Sequence, residues 1–404
     1  MKYITIVGDG MADDPLPELS GATPLSHART PNMDSLASKG SCGMTRHFYD
    51  DLPLDSGVAN LSILGYDPVK YYPGRGPLEA INIGVPLDEG DIACRFNFST
   101  VKDGVLVDPF AGHITNEETK TLIKALDDDN HYDGVEFHQG TSYRNLLILR
   151  GGYGHCMDFY STPAHDLTGE KIGQHIISPT TDEGRETADM LNDIVGRSRE
   201  LLEGHEINLS RQAGGQNPGN IIWPWGQGLK SHIPSFTDIY GLSGALISAV
   251  DLLKGIGREI GLDVIDVPGA TGYIDTNYVG KADAALKSLR EKDFVFVHVE
   301  SPDESGHEGS IENKVRSIED IDEHIVGRIV SGLDCDFRLV ITPDHPTPVK
   351  KRTHTNEQVP FILYDSTDGR ADGVKEYTEQ EVMSKGSLSL ERGFDLMKLL
   401  TRPS

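Results

Sequence analysis

Three apolar runs in this chain end in the same way, and that repetition limits the fold more than any other feature. Phe294-Val-Phe-Val-His-Val leads into Asp303-Glu-Ser-Gly-His307, Arg338-Leu-Val-Ile-Thr-Pro leads into Asp344-His345, and Lys2-Tyr-Ile-Thr-Ile-Val-Gly leads into Asp9. Runs of β-branched and aromatic residues of this length read as buried strands. In open α/β sheets, ligands bind beyond the carboxyl ends of the strands. The pattern therefore predicts loops at one sheet edge that present Asp9, Asp303, His307, Asp344 and His345, with His354 in the loop just after. Mixed carboxylate and imidazole donors suit Mn²⁺ or Zn²⁺ better than Ca²⁺, which prefers oxygen alone.

Between these runs lie helical patterns, and strand-helix-strand order implies a mainly parallel sheet with helices on both sides. Thr30-Pro-Asn-Met-Asp34 through Gly40 reads as a helix with Thr30 as N-cap, Pro31 at the first position and Gly40 as a left-handed stop. Leu54-Asp-Ser-Gly-Val-Ala-Asn-Leu-Ser-Ile-Leu-Gly65 starts another helix at Asp55 or Ser56. A serine there either caps the helix or is a nucleophile whose target phosphate rests on the free N–H groups of the same terminus. Leu242 to Lys254 and Lys281 to Arg290 read as amphipathic, and Asp263 to Val267 as a short strand. Ile318, Ile321, Ile325 and Ile329 mark a buried helix face, which puts Glu319, Asp320, Asp322 and Glu323 outward.

The texture changes between residues 87 and 228, where strand-like pieces such as Ile92 to Phe98 and Asn145 to Leu149 alternate with helical patterns at Thr115 to Leu126 and Glu183 to Leu202. This segment reads as an inserted α+β cap domain, 87–228, in a core built from 1–86 and 229–404.

Charge and cysteine usage exclude several classes. The net charge of −26 argues against nucleic acid or an anionic membrane as partner, since both need clustered Lys and Arg. Four isolated cysteines form no Cys-x-x-Cys pair and no framework, so reduced thiols in a cytoplasm are expected. A strand begins close to Met1 and no run approaches about 18 apolar residues, so neither signal segment nor membrane span is expected.

Taken together, Gly8-Asp9-Gly10, Thr30-Pro-Asn-Met-Asp34, Ser56-Gly-Val-Ala-Asn-Leu-Ser-Ile-Leu-Gly-Tyr-Asp67, Asp303-x-x-x-His307 followed by Glu308-Gly309, Asp344-His345 and His354 resemble the alkaline phosphatase superfamily. Within it the chain resembles the archaeal-type branch of the cofactor-independent phosphoglycerate mutases, essentially end to end. The resemblance implies an alkaline-phosphatase-like α/β core. It also implies one divalent metal held by Asp303, His307 and His354 and a second held by Asp9, Asp344, His345 and the Ser56 oxygen. Mn²⁺ comes first, with Zn²⁺ or Mg²⁺ also suited, and no organic cofactor is needed. The implied activity interconverts 3-phosphoglycerate and 2-phosphoglycerate without 2,3-bisphosphoglycerate, through a phosphoserine at Ser56. Metal coordination replaces the general base that a serine normally needs, and water must be excluded while glycerate is held.

For the small phosphorylated substrate, the cap offers Arg144 as a carboxylate or phosphate clamp, because an arginine fork matches those groups. It also offers Asp166 as acid/base. Lys281 is the candidate in the core to lie near the phosphate. One segment departs from the mutase pattern: Trp223-Pro-Trp-Gly-Gln-Gly228 stands where the branch carries an arginine, and it resembles a sister group proposed to act as homoserine kinases. A homoserine-kinase-like phosphotransferase and a phosphomonoester hydrolase of the same superfamily are therefore the alternatives, with a non-catalytic metal-binding protein behind them. The sequence fixes no oligomeric state.

Overall fold

A computed structural model of the chain describes residues 1–402. The chain divides into two compact units, one formed by 1–72 and 233–404 and the other by 73–232. The divide falls at Tyr72/Pro73 and His232/Ile233 rather than at 86/87 and 228/229. The reason is the helix Arg75–Ile83, which packs on the strands Ile92–Lys102 and Ile221–Leu229 of the second unit.

The first unit is built on eight strands: β1 (Lys2–Gly8), β2 (Ser41–Thr45), β3 (Gly244–Ile247), β4 (Asp263–Val264), β5 (Phe294–Val299), β6 (Phe337–Thr342), β7 (Val359–Asp365) and β8 (Leu388–Leu390). They form one sheet in the order β4-β3-β5-β1-β6-β7-β2-β8. Only β7 runs against its neighbours, so the sheet is mainly parallel. All six residues of β5 are buried, as expected of a strand covered on both faces. Each Val or Phe buried there contributes roughly 1.5–3 kcal/mol. Register sets the position of the candidate ligands. Val7 of β1 pairs with His298 of β5 and with Thr342 of β6, so Asp9 and Asp344, each two residues further on, leave the sheet at one level.

Several local expectations are corrected. Asp303 and His307 do not sit in a loop; they stand one turn apart on the helix Ser301–Glu308, opened by Pro302 and stopped by Gly309 in the left-handed conformation. That spacing puts both side chains on one helix face. Thr30 makes no side-chain cap to the helix Pro31–Ala37. The Asp322 carboxylate does so instead, accepting from Asn32 N at 3.1 Å and Met33 N at 2.7 Å. Asp322 is therefore buried rather than outward, in a π-helical segment, Asp322–Gly327, that follows the helix Ile311–Ile321. The four isoleucines are buried as predicted. Gly40 is not left-handed; a Cβ there would lie 2.6 Å from Leu363 O, so close backbone approach is what demands glycine. Leu242 to Lys254 is not one helix but β3 followed by the start of Asp251–Glu259.

In the second unit, strand Ile92–Lys102 pairs antiparallel with Arg144–Leu149, Ile221–Leu229 and Val105–Asp108, and Val135–Thr141 pairs with Arg144–Leu149. Helices Asn116–Asp129 and Arg185–Glu203 pack on this sheet, which gives an α+β unit with its own core around Phe96, Phe98, Leu122, Leu147 and Leu191.

Candidate metal centre

Beyond β1, β5 and β6 the donor groups converge. Asp9 Oδ1 lies 3.3 Å from His345 Nε2, and Asp344 Oδ2 lies 3.5 Å from the same nitrogen. Ser56 Oγ is also 3.3 Å from it. The backbone is shaped for this approach: Gly10 has φ +61°, and a Cβ there would come within 2.6 Å of both Asp303 Oδ1 and Thr347 Oγ1. The Gly10 N–H donates to Asp344 Oδ1 at 3.0 Å, and Asn60 Nδ2 donates to Asp344 Oδ2 at 2.8 Å.

Asp303 gathers the other donors. Its Oδ2 is 3.2 Å from His307 Nε2, its Oδ1 is 3.5 Å from His354 Nε2, and the two imidazole nitrogens are 3.1 Å apart. Thr347 Oγ1 donates to Asp303 Oδ1 at 2.5 Å.

The hydrogen-bond network assigns the histidine tautomers. His307 Nδ1 faces Arg352 O at 3.0 Å and His354 Nδ1 faces Leu54 O at 2.7 Å. A carbonyl oxygen only accepts, so both Nδ1 atoms carry a proton, and Nε2 is the atom of each ring that can bind a cation. His345 Nδ1 contacts Thr347 Oγ1 at 3.2 Å, and that hydroxyl's proton is already given to Asp303, so His345 Nε2 is bare as well.

Electrostatics give the fit test for divalent ions. Burial, then the charges of Asp344 and Asp303, raises the Asp9 carboxyl well above the usual range. Asp344 is raised too, chiefly by burial. Asp303 is pushed the other way: burial would raise it, but His354 and His307 outweigh that and hold it well below the ordinary value. Burial pushes His345 well below its ordinary pKa, whereas Asp303 overcomes burial to lift His307 to about 9. Asp9 Oδ1 is buried with no hydrogen-bond partner among the described residues, and it faces the bare His345 Nε2. A divalent cation between this carboxylate and the imidazole lone pair would offset the burial and like-charge effects that oppose ionisation of Asp9, so the residues fit divalent metal ions. By distance alone, donors group as Asp303, His345 and His354 and as Asp9, His298 and Asp344. His345 thus borders both sets, and His298 is an addition that the sequence reading did not place at the site.

Ser56 is the first residue of the helix Ser56–Ile63, and the capping role belongs to Asp55, whose side chain accepts from Gly57 N at 2.7 Å. The N–H groups of Val58 and Ala59 donate to Asp55 O. The terminus expected to cradle phosphate is therefore engaged by Asp55, while the Ser56 hydroxyl is left beside the carboxylates. Asn60 is a further site residue the sequence did not reveal; the only signal was a polar side chain inside an apolar helix.

Lys281, Arg144 and Asp166 complete the predicted set, each described within its own unit. Lys281 is fully buried in the first unit and its ammonium donates to His298 O at 3.0 Å, with burial lowering its pKa to about 8. Arg144 and Asp166 belong to the second unit. Arg144 Nε donates to Tyr143 OH at 3.1 Å. Asp166 lies on an exposed turn with Oδ1 3.8 Å from His165 Nε2. The second unit also holds cations that sequence reading missed. Arg95 is buried, donates to Glu79 Oε1 at 3.0 Å and lies over the Trp225 ring at 4.9 Å; Arg75 lies over the same ring at 5.3 Å and donates to the same oxygen at 2.8 Å. Trp223 and Trp225 are buried in the strand Ile221–Leu229, and Trp225 is the residue of the Trp-Pro-Trp-Gly segment that packs against this arginine pair.

Comparison with known proteins gives concordant results. The family profile described as 2,3-bisphosphoglycerate-independent phosphoglycerate mutase matches residues 37–208. A protein of that name from Methanosarcina acetivorans is 45% identical over 405 residues, covering 100% of both chains. Another from Methanothrix thermoacetophila is 47% identical over 403 residues and 99% of both chains. Among solved structures, a protein of Pyrococcus horikoshii superposes with a TM-score of 0.81 at 30% identity, covering 100% of this chain and 98% of that one. The cofactor-independent phosphoglycerate mutase of Thermoplasma acidophilum gives 0.63 at 31% identity and 99% of both chains.

Proposed function

Because the chain belongs to the 2,3-bisphosphoglycerate-independent phosphoglycerate mutase family, we propose that it interconverts 3-phosphoglycerate and 2-phosphoglycerate by passing the phosphoryl group through Ser56. One observation carries the reading: the Ser56 hydroxyl, relieved of capping by Asp55, lies 3.3 Å from His345 Nε2 among the buried carboxylates Asp9 and Asp344.

Asp303, His307 and His354 would hold one divalent cation, and Asp9, Asp344, His345 and the Ser56 oxygen a second. Mn²⁺ is our first choice for this mixed donor set. When bound, the cations supply positive charge that favours the ionised serine and offsets the charge of the phosphoryl group. Asn60, donating to both Ser56 O and Asp344 Oδ2, keeps the serine turn and the carboxylate in one geometry. Ser56 then attacks the phosphoryl phosphorus in line, the bond to the glycerate 3-oxygen breaks, and that oxygen takes a proton. Return transfer to the 2-hydroxyl reverses the same steps and regenerates Ser56. Arg144 is assigned to the glycerate carboxylate, Asp166 to the proton passed between the two glycerate hydroxyls, and Lys281 to a place near the phosphate. The reading includes a cytoplasmic location, supported by cysteines that are all unpaired. No helix among the described residues is long and apolar enough to cross a membrane.

The test is conversion of 3-phosphoglycerate by Mn²⁺-loaded protein, coupled to enolase, with free phosphate followed in the same tube. Isomerisation without phosphate release is the expected result. Phosphate release alone would make the protein a hydrolase. Activity only with separate donor and acceptor would make it a kinase-like transferase, and inertness of the metal-loaded protein would leave a binding protein.

A further inference from the structure

Four histidines reach the centre, and one of them is set up differently from the other three. His298 lies inside β5 and is fully buried, with Nε2 3.0 Å from Asp9 Oδ2. Its distance to Asp9 and Asp344 would place it in a ligand group. Its other nitrogen argues otherwise. His298 Nδ1 faces not a carbonyl but Ser248 Oγ, at 3.3 Å, and Ser248 Oγ already accepts from Val250 N at 3.0 Å. Ser248 is buried, so its hydroxyl proton needs an acceptor, and among the described residues the group that faces it is His298 Nδ1. The opposite tautomer would strand that proton, a loss of about 1–3 kcal/mol for a buried unsatisfied group. Nδ1 therefore accepts and Nε2 carries the proton. A protonated nitrogen has no lone pair for a metal.

We infer that His298 is a positioning residue that holds the Oδ2 side of Asp9 by its Nε2–H and leaves Oδ1 to face the metal site, rather than a fourth imidazole ligand. Two observations support this division. Asp9 Oδ1, not Oδ2, is the oxygen directed at His345 Nε2. His298 Nε2 has no hydrogen-bond partner among the described residues, and the acidic oxygen within reach of its proton is Asp9 Oδ2, at 3.0 Å. Lys281 Nζ, donating to His298 O, fixes the backbone from which the ring projects. The inference rests on the proposed reading of Asp9 as a metal ligand.

The experiment uses full-length protein with ¹⁵N-labelled histidine rings, loaded with ¹¹³Cd²⁺. One-bond cadmium–nitrogen couplings are expected at His307, His345 and His354, each assigned by its loss in the corresponding His→Gln variant. None is expected at His298, whose Nε2 should give the signature of a protonated nitrogen. Metal affinity supplies the second readout. His298→Leu should weaken one of the two sites about 10–100-fold, and His298→Gln, which keeps a donor at the Nε2 position, should restore most of that loss. A cadmium coupling at His298 would overturn this inference while leaving the metal centre intact, as would wild-type affinity in His298→Leu. Couplings at none of the four rings would overturn the metal centre itself, and the inference with it.

Discussion

Replacing Lys314 by methionine would test how the loops of the centre are held. Lys314 and Asp13 form an ion pair at 2.7 Å in which both side chains are fully buried. The ammonium also donates to Ala12 O at 3.1 Å and to Thr347 O at 2.8 Å, so one cation ties the loop after Asp9 to the loop after His345. Burial alone lowers its pKa, and Asp13 is the main opposing influence. Removing one partner of such a pair leaves an uncompensated buried charge and costs about 3–5 kcal/mol. Asp13 Oδ2 would keep only the Val349 N–H at 3.1 Å. With an unfolding entropy near 2.1 cal/mol/K per residue, a unit of about 240 residues loses roughly 0.5 kcal/mol of stability per degree. The transition of the first unit should therefore fall by about 6–10 °C, read by calorimetry on metal-free protein. The double variant Lys314→Met/Asp13→Asn should recover several degrees, because no charge is then stranded. A single-variant shift below about 2 °C, or a double variant no better than the single, would refute the reasoning.

Other predictions follow from the same geometry. Asn60→Ala removes the donor to Asp344 Oδ2 and should weaken metal binding about 10–100-fold, measured by competition with a chelating dye; unchanged affinity would count against an orienting role. His307, lifted to about 9 by Asp303 against the opposing effect of burial, holds a proton in the metal-free protein at neutral pH. A cation must displace that proton, so metal binding should release protons and tighten as pH rises toward 9, and calorimetry in buffers of different ionisation enthalpy would show it. Affinity independent of pH over that range would contradict the tautomer and charge assignment. Arg144→Gln should raise KM for 3-phosphoglycerate by about 10–100-fold, the value of a charged hydrogen bond, with the melting temperature unmoved. By contrast, Arg95→Met removes one of the two arginines hydrogen-bonded to the buried Glu79 and should destabilise the second unit by about 3 kcal/mol.

The sheet and the gathering of donor side chains beyond its strands were legible because their signals are local. Long β-branched runs favour strands, and although a single Asp at a strand end is often a turn or cap residue, several Asp and His donors recurring at strand ends carry a signal together. What the sequence concealed depends on tertiary contact. Ser56 and Asp55 are both good caps, and only the bond from Gly57 N to Asp55 decides between them. Asp322 reads as one more charge on an acidic helix until the π segment turns it onto the start of Pro31–Ala37. His298 is hidden inside a strand that otherwise reads as core, although a polar residue in a fully buried run was a signal in itself. The Arg75, Arg95 and Trp225 group is assembled from three separate elements, so no spacing along the chain could announce it. The same holds for the unit boundary, because Arg75–Ile83 has a helix pattern that does not say which sheet it will cover.

The most direct test of the central claim is to quench the metal-loaded protein with acid during turnover of 3-phosphoglycerate carrying a radioactive phosphoryl group, and to find the label. The account predicts label on the peptide containing Ser56, no label in Ser56→Ala, and loss of isomerisation in that variant with metal content largely intact. Substantial isomerisation by Ser56→Ala, or label on a different residue, would contradict it.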